Sequence, residues 1–244
     1  MNQTSYLSTK NININERLIF ALDFESSKEA REIVERLGDT VTFYKLGLEL
    51  FMAGGYYELV DWLANNGKKV FVDLKFFDVP QTVGSAVRQL RNKNATFATV
   101  HGNDKILEAA VKEKGDLKIL AVTVLTSLDR HDLEDLGFQC DVENLVLSRA
   151  KRALQLGCDG IISSGLEARS LRESLGENFL IVTPGIRPIA NVDDQKRTVD
   201  VEQAFLNGAD YIVVGRPIKL AADPYQAAQD LQRRISKVFS DRDD

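Results

Sequence analysis

With 244 residues, 44% of them hydrophobic and 27% charged, the chain has an ordinary soluble make-up and is long enough for one α/β barrel. Its net charge of −5, without a dense Lys/Arg stripe carrying interleaved aromatics, argues against a nucleic-acid surface. Cys140 and Cys158 are too few and too far apart for a metal cluster or a CxxC site, and His101 and His131 have no ligand spacing, so neither a metal centre nor a histidine triad is expected.

Residues 1–16 form a polar, Asn-rich extension with no apolar segment for secretion, and no apolar run further on could span a membrane, so a cytoplasmic protein is expected. From Arg17 to Phe239 the pattern alternates. Strands are predicted over Arg17 to Asp23, Val41 to Leu46, Val70 to Lys75, Phe97 to Val100, Leu117 to Leu125, Gly160 to Ser163, Leu180 to Thr183 and Tyr211 to Val214. Helical spacing follows each of them. The first helix opens on Ser26 or Ser27 and stops at Gly38; the next covers Tyr56 to Asn66, and others cover Thr82 to Arg91, Lys105 to Lys114 and Val142 to Leu156. Leu166 to Leu175, Val201 to Asn207 and Tyr225 to Phe239 complete the set, and the charged tail 240–244 is expected to fray.

Repeated strand–helix units imply a parallel sheet, and eight of them imply closure into a single (β/α)8 TIM barrel spanning 17–239. No G-x-G-x-x-G follows the first strand, which disfavours an open dinucleotide-binding sheet. In a barrel the active site lies at the carboxyl ends of the strands, and that is where the charges fall. A strand has a side-chain period of two, so Phe71, Asp73 and Lys75 share one face while Val70, Val72 and Leu74 share the other. Asp23, Lys45, His101 and Thr126 reach the same end of their own strands, and Asp78 falls in the loop beyond the third. Charges in a barrel mouth are costly unless paired, so alternating Lys and Asp would hold one another ionised.

A second cluster follows strands seven and eight, where barrels often bind phosphate. Pro184-Gly185-Ile186-Arg187 and Gly215-Arg216-Pro217 combine glycines that let the backbone approach an anion with arginines able to grip phosphate oxygens in pairs. Between them the polar stretch 187–199 has no apolar period and reads as a lid, with Gln195 its foremost ligand-facing side chain.

Taken together, Asp73-x-Lys75-x-x-Asp78 with Pro80-x-Thr82, Lys45, Thr183-Pro184-Gly185-Ile186-Arg187-Pro188 and Val214-Gly215-Arg216-Pro217 resemble the orotidine 5′-phosphate decarboxylase family. The resemblance runs from Asp23 to Lys219 and leaves the amino-terminal extension outside it as dispensable. It implies a cofactor-free and metal-free decarboxylation of orotidine 5′-monophosphate to UMP. It also implies that the residues at Lys45, Asp73, Lys75 and Asp78 form a charged array around C6 of the pyrimidine. Asp78 and Thr82 would then come from a neighbouring subunit, making the active unit a homodimer. Within this frame Lys75 is expected to be the proton donor, Asp23 and Lys45 to hold ribose hydroxyls, and Thr126 to meet the pyrimidine.

Two alternatives stay open. D-x-K-x-x-D also occurs in Mg²⁺-dependent sugar-phosphate enzymes of similar fold, such as 3-keto-L-gulonate 6-phosphate decarboxylase and hexulose-6-phosphate synthase. Lys45 places a cation near where those enzymes keep metal-binding acids, which counts against them. A non-catalytic phosphate-ligand binder is the other, and it has no use for Lys75 between two aspartates.

Overall fold

Strand β1 (Leu18–Ala21) pairs with β2 (Phe43–Leu46) on one side and β8 (Tyr211–Val214) on the other, so the sheet has no free edge. Between them run β3 (Lys69–Phe76), β4 (Phe97–His101), β5 (Lys118–Val122), β6 (Gly160–Ile162) and β7 (Leu180–Thr183), all parallel and in sequential order. This is the expected (β/α)8 barrel, seen in a computed structural model that describes residues 5–186 and 199–240.

The period-two reading of the strands sorts correctly into inside and outside. Ile19, Phe43, Phe71, Phe97, Leu120, Val182 and Tyr211 fill the interior, while Phe20, Tyr44, Val70, Val72 and Ala98 face the helices. The aromatic members of the inner set interlock. Phe43 and Phe97 have ring centroids 5.1 Å apart, and Tyr211 meets Phe97 at 5.2 Å edge-on. Such contacts add about 0.5–1.5 kcal/mol each beyond area burial. They make the interior solid beneath the mouth.

The outer ring is α1 (Ser27–Leu37), α2 (Leu48–Ala53), α3 (Tyr56–Asn65), α4 (Pro80–Leu90), α5 (Asp104–Glu113), α6 (Arg130–Asp135), α7 (Val142–Gln155), α8 (Ala168–Leu175), α9 (Val201–Leu206), α10 (Arg216–Lys219) and α11 (Pro224–Ser240). Ser26 caps α1 by accepting from the Glu29 N–H, and Gly38 ends it. Helix α4 begins at Pro80 and not at Thr82, because proline's fixed φ and missing donor suit the first turn. The short helices α2, α6 and α10 have no counterpart among the predicted elements. Helix α6 did leave a local signal, the reciprocal cap between Asp129 and Asp132. The predicted fifth strand stops at Val122 instead of Leu125; the Thr123 carbonyl accepts from Arg149 Nη1 at 2.6 Å, and Thr126 lies on the loop beyond.

The described part of the amino-terminal extension crosses the opposite, amino-terminal end of the barrel. Ser8 and Lys10 bond to Asp210 just before β8, and Ile12 packs against the interior cluster. Among the described residues no helix is long and apolar enough to cross a membrane.

Candidate active site

Two aspartates and two lysines meet at the carboxyl ends of the first three strands. Lys45 extends from β2 to place its Nζ 3.3 Å from Asp23 Oδ1 and 3.6 Å from Asp73 Oδ2. Lys75 donates to the other oxygen of Asp73, Oδ1, at 2.9 Å. The order Asp23–Lys45–Asp73–Lys75 is therefore an alternating chain of charge. Burial works against the charge on Lys45, but Asp73 and Asp23 outweigh it and hold the ammonium above the usual lysine range. Burial likewise opposes ionisation of Asp73, and Lys45, Lys75 and Thr99 together keep its carboxyl below the usual carboxylate range. All the more space is needed at Gly47, where a Cβ would stand only 3.2 Å from Lys45 Nζ.

The strand that carries Asp73 and Lys75 is not regular there. Pairing between β3 and β4 runs Val72 to Ala98 and then Phe76 to Val100, so β3 holds two surplus residues. Lys75 takes φ +47°, a left-handed conformation that a side-chain-bearing residue rarely adopts. Sequence spacing put Lys75 on the inner face by simple alternation. It does point to the mouth, but by way of a bulge.

These charges line one wall of a cavity of about 420 Å³. An apolar wall is built from Val122, Val124, Leu125, Ile162 and Val213. Pro184, Gly185, Arg216 and Thr126 also line the cavity, as does Gly215, where a Cβ would stand 3.6 Å from Asp23 Oδ2. Gly185 adopts φ +79°, where the absence of a Cβ matters. Ile186 and Val199, which flank the segment 187–198, form a parallel bridge. Arg187 and Gln195 belong to that segment and lie outside the described residues.

Of the predicted residues, the structure brings together Asp23, Lys45, Asp73, Lys75, Thr126, Gly215 and Arg216. Asp78 and Thr82 it does not. Both are exposed and off the lining, and Asp78 Oδ1 accepts from the Val79 N–H at 2.6 Å. His101, at the end of β4, faces a separate side pocket and lies edge-on to Phe77 at 5.3 Å. Burial and the nearby Arg149 and Lys75 depress its pKa, favouring the neutral ring.

Two residues escaped sequence reasoning. Lys219 lines the cavity and donates from Nζ to the Asp23 carbonyl while lying 4.7 Å from the Phe24 ring centroid. Nothing in its dipeptide neighbours marks it, because α10 is a single turn. Thr99 is wholly buried and bonds to Asp73. Its signal was legible: it is a hydroxyl in phase with inward Phe97 on an otherwise apolar strand.

Fold and cavity together define a (β/α)8-barrel protein with a charged small-molecule site at the carboxyl ends of its strands. Comparison with known proteins narrows this. A family model described as orotidine 5′-phosphate decarboxylase / HUMPS family matches residues 16–231. A protein of Methylococcus capsulatus named orotidine 5′-phosphate decarboxylase is 63% identical over 97% of this chain and 98% of its own. One of the same name from Stenotrophomonas maltophilia is 49% identical over 93% and 96%. A crystal structure of orotidine 5′-phosphate decarboxylase from Lactobacillus acidophilus superposes with a TM-score of 0.81 at 35% identity, covering 90% of this chain and 99% of that one. The chain belongs to the orotidine 5′-phosphate decarboxylase / HUMPS family, and the curated relatives named here are carboxy-lyases.

Proposed function

We propose that the protein decarboxylates orotidine 5′-monophosphate to UMP and CO2 in pyrimidine biosynthesis, with Lys75 as the proton donor and no cofactor. The observation that carries this reading is the Lys75 ammonium held 2.9 Å from Asp73 on the lining of a cavity that Gly215 and Arg216 also line. Cleaving the bond from C6 to the carboxylate leaves an electron pair in an sp2 orbital, and no ring carbonyl is placed to absorb it. Stabilisation is then electrostatic. Lys75 faces the developing charge, transfers a proton to C6 and becomes a neutral amine, to be reprotonated from solvent.

One such donor supplies roughly 3–4 kcal/mol, whereas enzymes as a class supply about 8–23. The difference has to come from preorganisation and from binding energy remote from C6. Asp73 and Lys45 supply the first by fixing the charge chain before substrate arrives. Arg216, with the Gly215 backbone, supplies the second by gripping the phosphate, and Arg187 and Gln195 on the closing loop complete it. Asp23 and Lys45 hold the ribose hydroxyls, and Thr126 meets the pyrimidine beside the apolar wall.

The active unit in this reading is a cytoplasmic homodimer, with Asp78 and Thr82 of each copy completing the site of the other. Their positions support it. In their own chain both stand outside the cavity, and Asp78 is flanked by Phe77 and Val79, which are 68% and 62% exposed. Large apolar side chains left in water on either side of a charged residue suit a surface that another copy covers.

The test is the ultraviolet loss of orotidine 5′-monophosphate by purified protein in EDTA, beside Lys75→Ala. Conversion to UMP by the wild type alone is expected. Mixing Lys75→Ala with Asp78→Ala should restore activity, because hybrid dimers regain one intact site. Activity on sugar phosphates that needs Mg²⁺ would overturn the substrate, and failure of the mixture to recover would overturn the shared site.

A further inference from the structure

Lys75 combines two features. It is the residue whose ammonium must be aimed most accurately, and it sits at φ +47° inside a bulge. A bulge breaks the backbone ladder, and a left-handed non-glycine residue persists only where its surroundings over-determine it. Something must therefore hold this one, and the ladder cannot.

Thr99 stands directly opposite, on β4, between the two registered pairs that bracket the bulge. Its Oγ1 accepts from the Lys75 backbone N–H at 2.9 Å, taking the place of the missing backbone acceptor. The same hydroxyl donates to Asp73 Oδ1 at 2.9 Å, the oxygen to which Lys75 Nζ also donates at 2.9 Å. One side chain thus ties the backbone of Lys75 to the carboxylate that anchors its ammonium. Thr99 is 0% exposed and does not line the cavity, so it touches no substrate.

We propose that Thr99 is a positioning residue for Lys75: its hydroxyl closes a ring from the Lys75 N–H through Asp73 to the Lys75 ammonium and thereby sets where the proton donor enters the cavity. Acceptance and donation are both needed. A hydroxyl does both, a methyl neither. The inference rests on the decarboxylase reading for its kinetic consequence, but the geometry it claims is independent of substrate.

Thr99→Val keeps the shape and removes both bonds, while Thr99→Ser keeps the hydroxyl. For Thr99→Val, kcat on orotidine 5′-monophosphate should fall on the order of 10²-fold, the scale of a 1 Å misplacement at a reacting centre. KM should hold, because ribose and phosphate contacts are untouched, and Thr99→Ser should recover most of kcat. A crystal structure of Thr99→Val should show Lys75 out of the left-handed region or its ammonium off Asp73. If the wild type turns over substrate and Thr99→Val matches its kcat, or if KM rises in proportion as kcat falls, the positioning role is wrong. If the wild type is inactive, the decarboxylase reading fails, and the variant's crystal structure still decides: Lys75 unmoved would overturn the inference.

Discussion

The barrel carries a cluster of charges at each end, and they are built to opposite rules. At the amino end Asp210 and Arg172 have side chains only 0% and 2% exposed, paired at 2.8 Å. Asp210 further accepts from Ser8, Lys10 and the Ile181 N–H, and Arg172 donates to the Gly208 and Phe179 carbonyls. Protein groups surround both ions. At the carboxyl end the pairs are comparably close, yet Asp23 is 50% and Lys75 36% exposed, and the opening is the cavity. Burying charge is repaid only when its hydrogen bonds are met, so the first cluster serves the fold. The second leaves part of its capacity facing the cavity. That partial exposure, at the end of a barrel where sites occur, is what the proposed chemistry requires.

That contrast predicts where substitutions hurt. Asp210→Ala strands Arg172 and removes the anchor of the amino-terminal segment, so it should lower unfolding free energy by about 3–5 kcal/mol in denaturant titration. Activity per folded molecule should be kept. Lys75→Ala breaks only a partly exposed pair and should cost less than about 1 kcal/mol in the same titration, while abolishing turnover. Equal losses from the two would erase the distinction. The finest test is pH. Because Asp73 is held below its unfolded value of about 3.9, the stability it contributes is complete above that pH and declines as pH falls through its folded value. Melting temperatures of wild type and Asp73→Asn should therefore differ by a constant amount near neutrality and converge in acid. A gap that persists unchanged in acid would show that Asp73 is not the titrating anchor.

Much of this molecule is written locally. Alternation along β1, β2 and β3 assigns Ile19, Phe43 and Phe71 to the interior and carries Asp23, Lys45 and Asp73 to the mouth in phase with them. Pro80 and Ser26 announce helix starts within a residue or two. The amino-terminal extension shows the limit. It looks dispensable as a polar string, but Ser8 and Lys10 find their partner at Asp210, some two hundred residues away. Thr99 shows it again: its inward phase on β4 is legible, but its bonds to Lys75 and Asp73 exist only because the register of β3 against β4 puts it across from a bulge.

By itself, then, the amino-acid order determined the eight-fold alternation, the inward face of each strand, and the residue types that gather at the carboxyl end. These follow from periods of two and 3.6 residues and from the punctuation of Gly, Pro and Ser, all of which act over a few neighbours. Only the tertiary structure decided the left-handed turn at Lys75, the buried hydroxyl that holds it, the reach of Lys219 to Asp23, and the outward position of Asp78 and Thr82. Each of these depends on which strand lies beside which and in what register. Hydrogen bonds between residues far apart in the chain set that, and no short window of sequence contains both partners.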